Sequence, residues 1–308
     1  MAISFYSHPE CHKHEMGPGH PEQPARLDSI KEALNTPELE AEILFHEAQR
    51  ATEEQLKAAH DAAYVERILA SEPAGGYLRL DGDTLMNTHS LEAALRAAGA
   101  VTGAVDEVIN GDIRRAFCAV RPPGHHAERD HAMGFCIFNN IAVGAAHALN
   151  HHGLERIAIL DFDVHHGNGT EDIFFDEERV LFCSSFQHPF YPFTNLGRVK
   201  EHIIKTPLAA GTDGSVFRGK ISEQWLPVID EFRPQLILIS AGFDAHSQDH
   251  LAQVNLQEPD YQWITEEICK LADSHADGRI ISVLEGGYNL SALKRSVTAH
   301  LQTLLGKE

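Results

Sequence analysis

The sequence predicts an α/β fold in which helices cover both faces of a mostly parallel central sheet. Short apolar runs with many branched residues alternate along the chain with longer stretches whose apolar residues recur at helical spacing. No repeat, low-complexity tract or linker rich in Pro, Gly or Ser interrupts the 308 residues. We therefore expect residues 1–308 to form a single three-layer α/β/α domain.

Helices are predicted in four parts of the chain from apolar spacing and end signals. They span Ala25–Leu34, Leu91–Ile109, Ile137–Asn150 and Tyr261–Asp273. Five short apolar runs are predicted as buried strands: Ala116–Val120, Ile157–Leu160, Val180–Phe182, Leu236–Ser240 and Ile280–Leu284. The segment Met1–Pro24 is dense in Pro, Gly and His and is predicted to be a loop.

The composition narrows the classes of protein and partner. A formal net charge of -20 argues against nucleic-acid binding, which needs clusters of Lys and Arg, and weakly favours cationic substrates. No apolar run of membrane-spanning length occurs, and the first residues lack the basic and apolar regions of a secretory signal. The 5 cysteines are scattered, so we expect reduced thiols, a cytoplasmic location and no membrane or nucleic-acid partner.

Polar clusters follow four of the five predicted strands. They are Arg121-Pro-Pro-Gly-His125-His126, Asp161-Phe-Asp163-Val-His165-His166-Gly-Asn168, Ala241-Gly-Phe-Asp244-Ala-His246 and Glu285-Gly-Gly-Tyr288-Asn289. In open α/β sheets, ligands bind outside the carboxyl ends of the strands. If the strands are parallel, all four clusters converge on one edge of the sheet and form a site there.

Asp163, His165 and Asp244 are the predicted metal ligands. A spacing of two in extended chain places the Asp163 and His165 side chains on the same side, and Asp244 from another strand end is the preferred third ligand. Two carboxylates and an imidazole suit Zn²⁺ and leave a position for water or substrate. Taken singly, an Asp-x-His pair is weak evidence, and Asp244 alone fits a helix cap or turn. His166 is predicted to be structural, and the role of His246 is open.

The tandem His125-His126 and Tyr288 are candidates for acid–base and oxyanion chemistry. Two histidines beside a metal supply proton transfer at neutral pH, and a phenol on a Gly-Gly turn donates a hydrogen bond to a developing oxyanion. The alternatives are a solvated histidine pair on a loop and an ordinary turn aromatic.

These motifs together resemble the histone deacetylase family, which has an arginase-like fold. The matching segments are Gly17-Pro-Gly-His-Pro-Glu, Arg121-Pro-Pro-Gly-His-His-Ala-Glu, Met133-Gly-Phe-Cys-Ile-Phe-Asn-Asn, Leu160-Asp-Phe-Asp-Val-His-His-Gly-Asn-Gly-Thr, Ser240-Ala-Gly-Phe-Asp-Ala and Leu284-Glu-Gly-Gly-Tyr-Asn. Asn168, where other branches have Asp, and the last motif resemble the class II branch and its compact bacterial relatives. Some members of that branch have His in place of the tyrosine and cleave acetyl-lysine poorly, so Tyr288 favours ordinary deacylase chemistry.

The resemblance implies a zinc-dependent hydrolysis of an N-acyl amide, with one zinc per chain. Zinc on Asp163, His165 and Asp244 polarises the amide carbonyl and a water molecule. His126 is the general base and then the acid, and Asn168 orients it. His125 stays hydrogen-bonded to Asp161 and acts electrostatically, while Tyr288 stabilises the oxyanion.

The resemblance also implies substrate-binding and structural-cation residues. For the substrate they are the aromatic walls Phe135 and Tyr191, the Gly134 carbonyl, and Gly286, Leu251 and Asp83, with Arg26 lining an internal channel. A first K⁺ or Na⁺ site uses Asp161, Asp163, His165, Ser184 and Ser185, and a second uses backbone oxygens of Phe174, Glu177, Val180 and His202.

Several alternatives remain open for the substrate and the activity. An acylated lysine of a protein or peptide is the first expectation, because Leu251 occupies the position of the acidic gatekeeper in polyamine-selective relatives. The net charge favours the second, an acetylpolyamine or another small acylated amine. A catalytically silent acyl-lysine binding module would lack a zinc ligand or Tyr288, and an arginase-type manganese hydrolase would need more carboxylates. A homo-oligomer is a further possibility.

Overall fold

The computed structural model describes residues 2–71 and 73–307. The strands are β1 (Ile3–Ser7), β2 (Ile43–Glu47), β3 (Leu78–Arg79), β4 (Leu85–Met86), β5 (Arg115–Cys118), β6 (Ile157–Asp161), β7 (Val180–Gln187), β8 (Ile203–Leu208), β9 (Leu236–Ala241) and β10 (Ile280–Leu284). The helices are α1 (Pro9–Lys13), α2 (Ala25–Leu34), α3 (Pro37–Glu40), α4 (Glu53–Lys57), α5 (Ala62–Leu69), α6 (Ser90–Asn110), α7 (Asn140–Asn150), α8 (Asn168–Phe174), α9 (Gly214–Gln224), α10 (Leu226–Phe232), α11 (Glu258–His275) and α12 (Leu290–Leu304).

The centre of the molecule is an eight-stranded sheet in the order β2-β1-β5-β10-β9-β6-β7-β8. Every neighbouring pair in it is parallel, which confirms the predicted α/β fold. Strands β3 and β4 form a separate small antiparallel pair.

Helices cover both faces of the sheet. One group contains α1, α4, α6, α7 and α8, and the other contains α2 and α9 to α12. Strands β5, β6, β7, β9 and β10 are buried at every position, because neither face meets solvent. This explains why each of these strands contains a mostly apolar run without polar–apolar alternation. Within the described residues, no helix is both long and apolar enough to cross a membrane.

The predicted helices and strands are present in the structure, and some of them begin or end at a different residue than predicted. Helix α2 and strand β10 have their predicted bounds. Helix α7 begins at Asn140, three residues later than predicted, because the Asn139 side chain accepts a hydrogen bond from the Ala142 N–H at 3.0 Å and caps the helix. Strand β7 continues beyond its apolar start as far as Gln187.

The prediction of a loop over Met1–Pro24 was wrong for much of that segment. Strand β1 and helix α1 lie within it, and β1 pairs with both β2 and β5. Strands β2 and β8, the two edges of the sheet, were also missed. Edge strands carry mixed side chains: Leu44 and Phe45 of β2 are exposed, and β8 includes Lys205.

The topology positions the candidate site. The four strands that are followed by polar clusters, β5, β10, β9 and β6, are neighbours at the centre of the sheet. Because they are parallel, their carboxyl ends lie at the same edge, and the loops that follow them meet there.

Candidate metal centre and pocket

The three predicted metal ligands lie together at this edge of the sheet. Asp163 and His165 follow β6, and Asp244 follows β9. His165 Nδ1 is 3.1 Å from Asp163 Oδ1 and 3.2 Å from Asp244 Oδ2. One ligand atom from each residue lies within 4.8 Å of the others, and both carboxylates are buried.

The surroundings of the two carboxylates fit a metal ion. Asp163 Oδ2 accepts a hydrogen bond from the Gly286 N–H at 2.8 Å, and Asp244 Oδ1 accepts one from the Val164 N–H at 2.9 Å. Among the residues that the structure describes, none donates a hydrogen bond to the buried Asp244 Oδ2, although this oxygen lies beside His165. A buried carboxylate oxygen without a donor is costly unless a cation binds it. Two oxygens and one nitrogen are ligands that zinc accepts at catalytic sites.

The pKa shifts show an excess of negative charge at this centre. Burial and the charge of Asp163 raise the pKa of Asp244 to about 6. Burial lowers the pKa of His165, but its hydrogen bond with Asp163 and the adjacent Asp244 carboxylate outweigh this effect and raise it to about 10. A proton on His165 therefore offsets part of the carboxylate charge, and a bound divalent ion would take its place.

The tandem histidines that follow β5 have different partners. His125 Nδ1 is 2.9 Å from Asp161 Oδ2, whereas His126 Nδ1 is 2.7 Å from Asn168 Oδ1. Burial opposes the charging of His125, but Asp161 and other carboxylates raise its pKa to about 10. Burial and the charges of His125 and His165 hold the pKa of His126 well below its ordinary value. The pair therefore consists of a charged imidazole beside a neutral one.

Two glutamates around the tandem histidines, the buried Glu285 and the half-buried Glu128, were not singled out in the sequence. Glu285 Oε2 accepts hydrogen bonds from the Gly124 and His125 N–H groups, at 2.7 and 3.2 Å. Glu128 Oε1 accepts from Asn168 Nδ2 at 2.7 Å, which sets the orientation of the amide that contacts His126. Both glutamates lie within the motifs that match the family: Glu128 directly follows His125-His126-Ala127, and Glu285 directly follows β10. This position was the signal by which the sequence could have identified them.

A pocket of about 220 Å³ opens beside the metal centre. Its lining consists of Asp83, His126, Gly134, Phe135, His165, Phe190, Tyr191, Leu251 and Tyr288. The Tyr191 ring meets the His126 ring edge-on at 5.3 Å, and the Phe135 ring meets the Tyr288 ring edge-on at 6.1 Å. Phe190, which the sequence reasoning did not select, stacks on His165 at 5.7 Å. The pocket is therefore small and lined mostly by aromatic rings.

Backbone geometry at Gly134 shapes one wall of this pocket. Gly134 has φ of 56°, and a Cβ atom there would clash with the His126 ring. Its N–H donates to Asp83 Oδ1 at 3.0 Å, and the next N–H, of Phe135, donates to the Thr84 hydroxyl at 3.0 Å. Asp83 thus contacts the backbone of this turn and also lines the pocket.

Tyr288 is held in the pocket by a carboxylate and an arginine. Its N–H donates to Asp249 Oδ2 at 2.6 Å, and the Arg26 guanidinium lies 5.0 Å from the centre of its ring. Arg26 is fully buried, pairs with Glu22 and donates to the Gly287 carbonyl, so it is internal and not part of a surface ion pair. Burial and the charge of Asp244 raise the pKa of Tyr288 well above its ordinary value, so the phenol is neutral and can donate.

The remaining predicted residues lie close to the expected partners. Gly286 lies against Asp163 and Asp244, where a Cβ atom would clash with both. Ser184 and Ser185 are buried in β7 beside the end of β6. The residues of the second predicted cation site also cluster: His202 Nε2 lies 3.2 Å from the Phe174 carbonyl oxygen, which accepts from the Glu177 N–H, and the Glu177 carbonyl accepts from the Val180 N–H.

The two other histidines near the motifs have structural partners. His166 is hydrogen-bonded to Glu171 at 2.6 Å and to Ser184 at 2.9 Å, in agreement with the predicted structural role. His246 is buried, with Nε2 3.3 Å from Glu258 Oε1.

Comparisons with known proteins place these features in a family context. The family model described as histone deacetylase domain matches residues 20–304. A probable deacetylase of Archaeoglobus fulgidus is 37% identical over 94% of this chain and 82% of its own. A histone deacetylase-like amidohydrolase of Pseudomonas aeruginosa is 37% identical over 88% of this chain and 73% of its own. The crystal structure of an HDA15 HD domain superposes with a TM-score of 0.93 and 32% identity, over 99% of this chain and 89% of that chain.

Proposed function

Because the chain belongs to the histone deacetylase family, we propose that it is a zinc-dependent deacylase that removes acetyl or related acyl groups from lysine side chains. One observation carries this proposal. The Asp163, His165 and Asp244 ligand set adjoins the neutral His126 at an aromatic pocket whose wall also includes Tyr288. A metal site, a base and an oxyanion donor are the three parts that metal-assisted amide hydrolysis uses at one place.

The proposed proton transfers follow from the hydrogen bonds of His126. Zinc held by the three ligands supplies Lewis acidity, which polarises the acyl carbonyl and acidifies water. Because His126 Nδ1 faces the Asn168 carbonyl oxygen, Nδ1 carries the proton and Nε2 has a free lone pair. Nε2 accepts the proton of the attacking water and returns it to the leaving amine. Glu128 keeps the Asn168 amide in the orientation that this tautomer requires.

His125 and Tyr288 stabilise charge in this scheme. The His125–Asp161 pair keeps a positive imidazole next to the reacting atoms, with ring centres of the two histidines 4.0 Å apart. The neutral Tyr288 hydroxyl donates to the oxygen that gains charge when the carbonyl is attacked.

The pocket supports an unbranched aliphatic stem as the substrate part that enters it. Flat rings bury methylene groups without needing polar partners, and the pocket is small, with a volume of about 220 Å³. Leu251 lines the pocket and offers no carboxylate for a second ammonium, which favours acyl-lysine. The second candidate is a small acylated polyamine, favoured by the Asp83 carboxylate in the same lining and by the net charge of -20.

Two substitutions and one control test the proposal on the zinc-loaded protein with acetyl-lysine peptides and acetylpolyamines as substrates. Asp244→Ala should abolish zinc retention and activity. Tyr288→Phe should keep one zinc and lower kcat by about 10²–10³, the usual cost of one oxyanion donor. Tyr261→Phe is the matched control, because its buried hydroxyl has no hydrogen-bond partner in the described part of the chain and lies outside the pocket lining.

The metal assignment fails if Asp244→Ala retains full zinc occupancy. The oxyanion role fails if Tyr288→Phe is as active as Tyr261→Phe. Faster turnover of acetylpolyamines than of any acetyl-lysine peptide would transfer the proposal to the second substrate class.

A further inference from the structure

A second cluster of metal-ligand side chains lies on the surface formed by α6 and α7. It consists of Asp106 from α6, His147 from the last turn of α7, and His151 and His152 directly after that helix. Helix α7 begins beside the tandem-histidine loop, where Asn140 Nδ2 donates to the Pro122 carbonyl. The cluster lies at the opposite end of this helix, about 15 Å along its axis, and shares no residue with the pocket.

The four side chains converge on a small volume. His147 Nε2 and His152 Nε2 lie 2.8 and 2.7 Å from the same oxygen, Asp106 Oδ1. His151 stacks on His147 with ring centres 4.9 Å apart, because residues four apart share one helix face. One ligand atom from each of the four residues lies within 4.8 Å of the others.

The spacing of these atoms is close to that of a coordinated ion. Bonds of about 2.0–2.1 Å to a tetrahedral ion separate two ligand atoms by roughly 3.3 Å, so the two imidazoles need to move only slightly. Within the described part of the chain, the His151 ring stacks on its two histidine neighbours but forms no hydrogen bond or ion pair. A fourth ligand is therefore available at the solvent side.

The surroundings attract a cation. The cluster opens into a cleft of about 910 Å³ that is also lined by Glu53, Glu54 and Lys57, and the lysine is paired with Glu53 at 2.7 Å. The carboxyl end of α7 adds the negative end of the helix dipole. His147 and His152 are only 8% and 9% exposed, so two of the ligands are already held in place.

We infer that Asp106, His147, His151 and His152 form a binding site for a divalent transition-metal ion, separate from the centre at the sheet edge. Three imidazole nitrogens and one carboxylate oxygen suit Zn²⁺, Cu²⁺ or Ni²⁺ and do not suit Ca²⁺ or Mg²⁺, which prefer oxygen ligands. For Zn²⁺, four protein ligands complete the tetrahedral shell, so a zinc ion here is structural and has no open position for chemistry. The ion joins α6 to the end of α7.

Zinc titration of the holoenzyme tests the site. Protein without a histidine tag is loaded with one zinc per chain, freed of excess metal, and titrated with Zn²⁺ by calorimetry, with metal content measured after dialysis. The wild type should take up a second equivalent and gain thermal stability, because the ion binds the folded state. The test variant is His151→Asn/His152→Asn, which removes two ligands while leaving the better buried His147 unchanged.

The expected effect is a large loss of affinity confined to this cluster. Removing even a partner of a ligand typically costs 10–100-fold, so losing two ligands should weaken the second equivalent by more than about 100-fold. His275→Asn is the matched control, because His275 also ends a helix and pairs with one aspartate, Asp230, at 2.8 Å. It should bind the second zinc as the wild type does.

The possible results test this second metal site and the proposed deacylase function independently of each other. Uptake of a single zinc by the wild type, an unchanged second equivalent in the double variant, or its loss in His275→Asn would each overturn the site. A wild type that binds two zinc ions but hydrolyses no acylated amine would contradict the deacylase proposal and leave this site in place.

Discussion

At the scale of single residues, the site depends on giving two adjacent histidines different charge states. His125 faces a carboxylate and His126 faces an amide, so their pKa values move in opposite directions although both rings are buried. A neutral base beside a positive neighbour is what amide hydrolysis at neutral pH requires. Burial disfavours the charged form of both rings, and only the carboxylates around His125 outweigh it.

Glu128 is expected to set the tautomer of His126 through Asn168. In Glu128→Ala the Asn168 Nδ2 loses its carboxylate acceptor and keeps only the weaker acceptors Met133 Sδ and the His126 carbonyl. The amide can then rotate, which presents an N–H group to His126 Nδ1 and removes the lone pair from Nε2. We expect kcat/KM to fall by about 10-fold or more, as is usual for partners of catalytic groups, with zinc content unchanged. The measurement is the pH profile of kcat/KM from pH 6 to 9.

Glu128→Gln is the matched variant, because the glutamine carbonyl still accepts from Asn168 Nδ2. It should keep the wild-type profile. Equal damage in the glutamine and alanine variants would point to the charge of Glu128, and an undamaged alanine variant would remove Glu128 from the scheme.

At the scale of secondary-structure elements, the metal centre is built from loops that leave neighbouring strands. Strand β6 supplies Asp163 and His165, β9 supplies Asp244, and the turn after β10 packs over both carboxylates. The sheet fixes where each of these loops begins. The distances between the metal ligands then depend on how closely the loops after β6, β9 and β10 approach one another.

Gly286 is the position in the β10 turn where the close approach is tightest. A Cβ atom there would clash with carboxylate oxygens of Asp163 and Asp244, so Gly286→Ala should lose zinc and activity. The control is Gly219→Ala in α9, where a Cβ atom meets nothing within 4 Å. It should be neutral or stabilise the protein by about 0.5–1 kcal/mol, because alanine favours helix.

Zinc content and thermal unfolding of both variants provide the comparison. Full zinc occupancy in Gly286→Ala would show that the turn can shift away from the two carboxylates, and the close approach would then not be required.

At the scale of the whole molecule, buried neutral histidines connect distant segments. The His60 ring joins the start of the α5 region to the loop before α7: Nδ1 lies 2.9 Å from the Glu128 carbonyl, and Nε2 accepts from the Asn139 N–H at 2.9 Å. Burial lowers the pKa of His60 to about 4 and that of His300 to about 3. Both rings must therefore stay neutral in the folded protein.

Folding stability should decrease below neutral pH for this reason. Since the pKa of histidine in an unfolded chain is about 6.5, the unfolded state binds more protons than the folded state between that value and the lowered pKa. The stabilisation is present above pH 6.5 and is lost as the pH falls towards 4. For His60 alone, the loss between pH 7 and pH 5 is about 2 kcal/mol.

Urea unfolding at pH 7 and pH 5 measures this loss. His60→Gln, which stays neutral, should lose less stability between the two pH values than the wild type. His12→Gln, in an exposed pair with Asp28, should behave as the wild type does. An identical loss in the wild type and His60→Gln would assign the acid sensitivity to other groups.

The central strands of the sheet could be predicted from local sequence patterns, whereas β1 and the edge strands β2 and β8 could not. Buried strands such as Ile157–Asp161 and Ile280–Leu284 are mostly apolar, and they could be predicted because both of their faces are covered by helices. Strands β1, β2 and β8 mix polar with apolar residues, so their pairing depends on neighbours far along the chain.

For the candidate site, the residues that follow the strand ends could be predicted from local signals: Asp163 and His165 from their spacing, and Asp244, the tandem histidines and Tyr288 from their position after apolar runs. The partner of each of these residues could not be predicted, because it depends on how the chain packs. Glu128 with Asn168, Asp249 with the Tyr288 backbone, and Asp106 with His147 and His152 are contacts between segments about 40 residues apart. Such contacts leave no local periodicity, because they depend on how the helices and loops pack around the sheet.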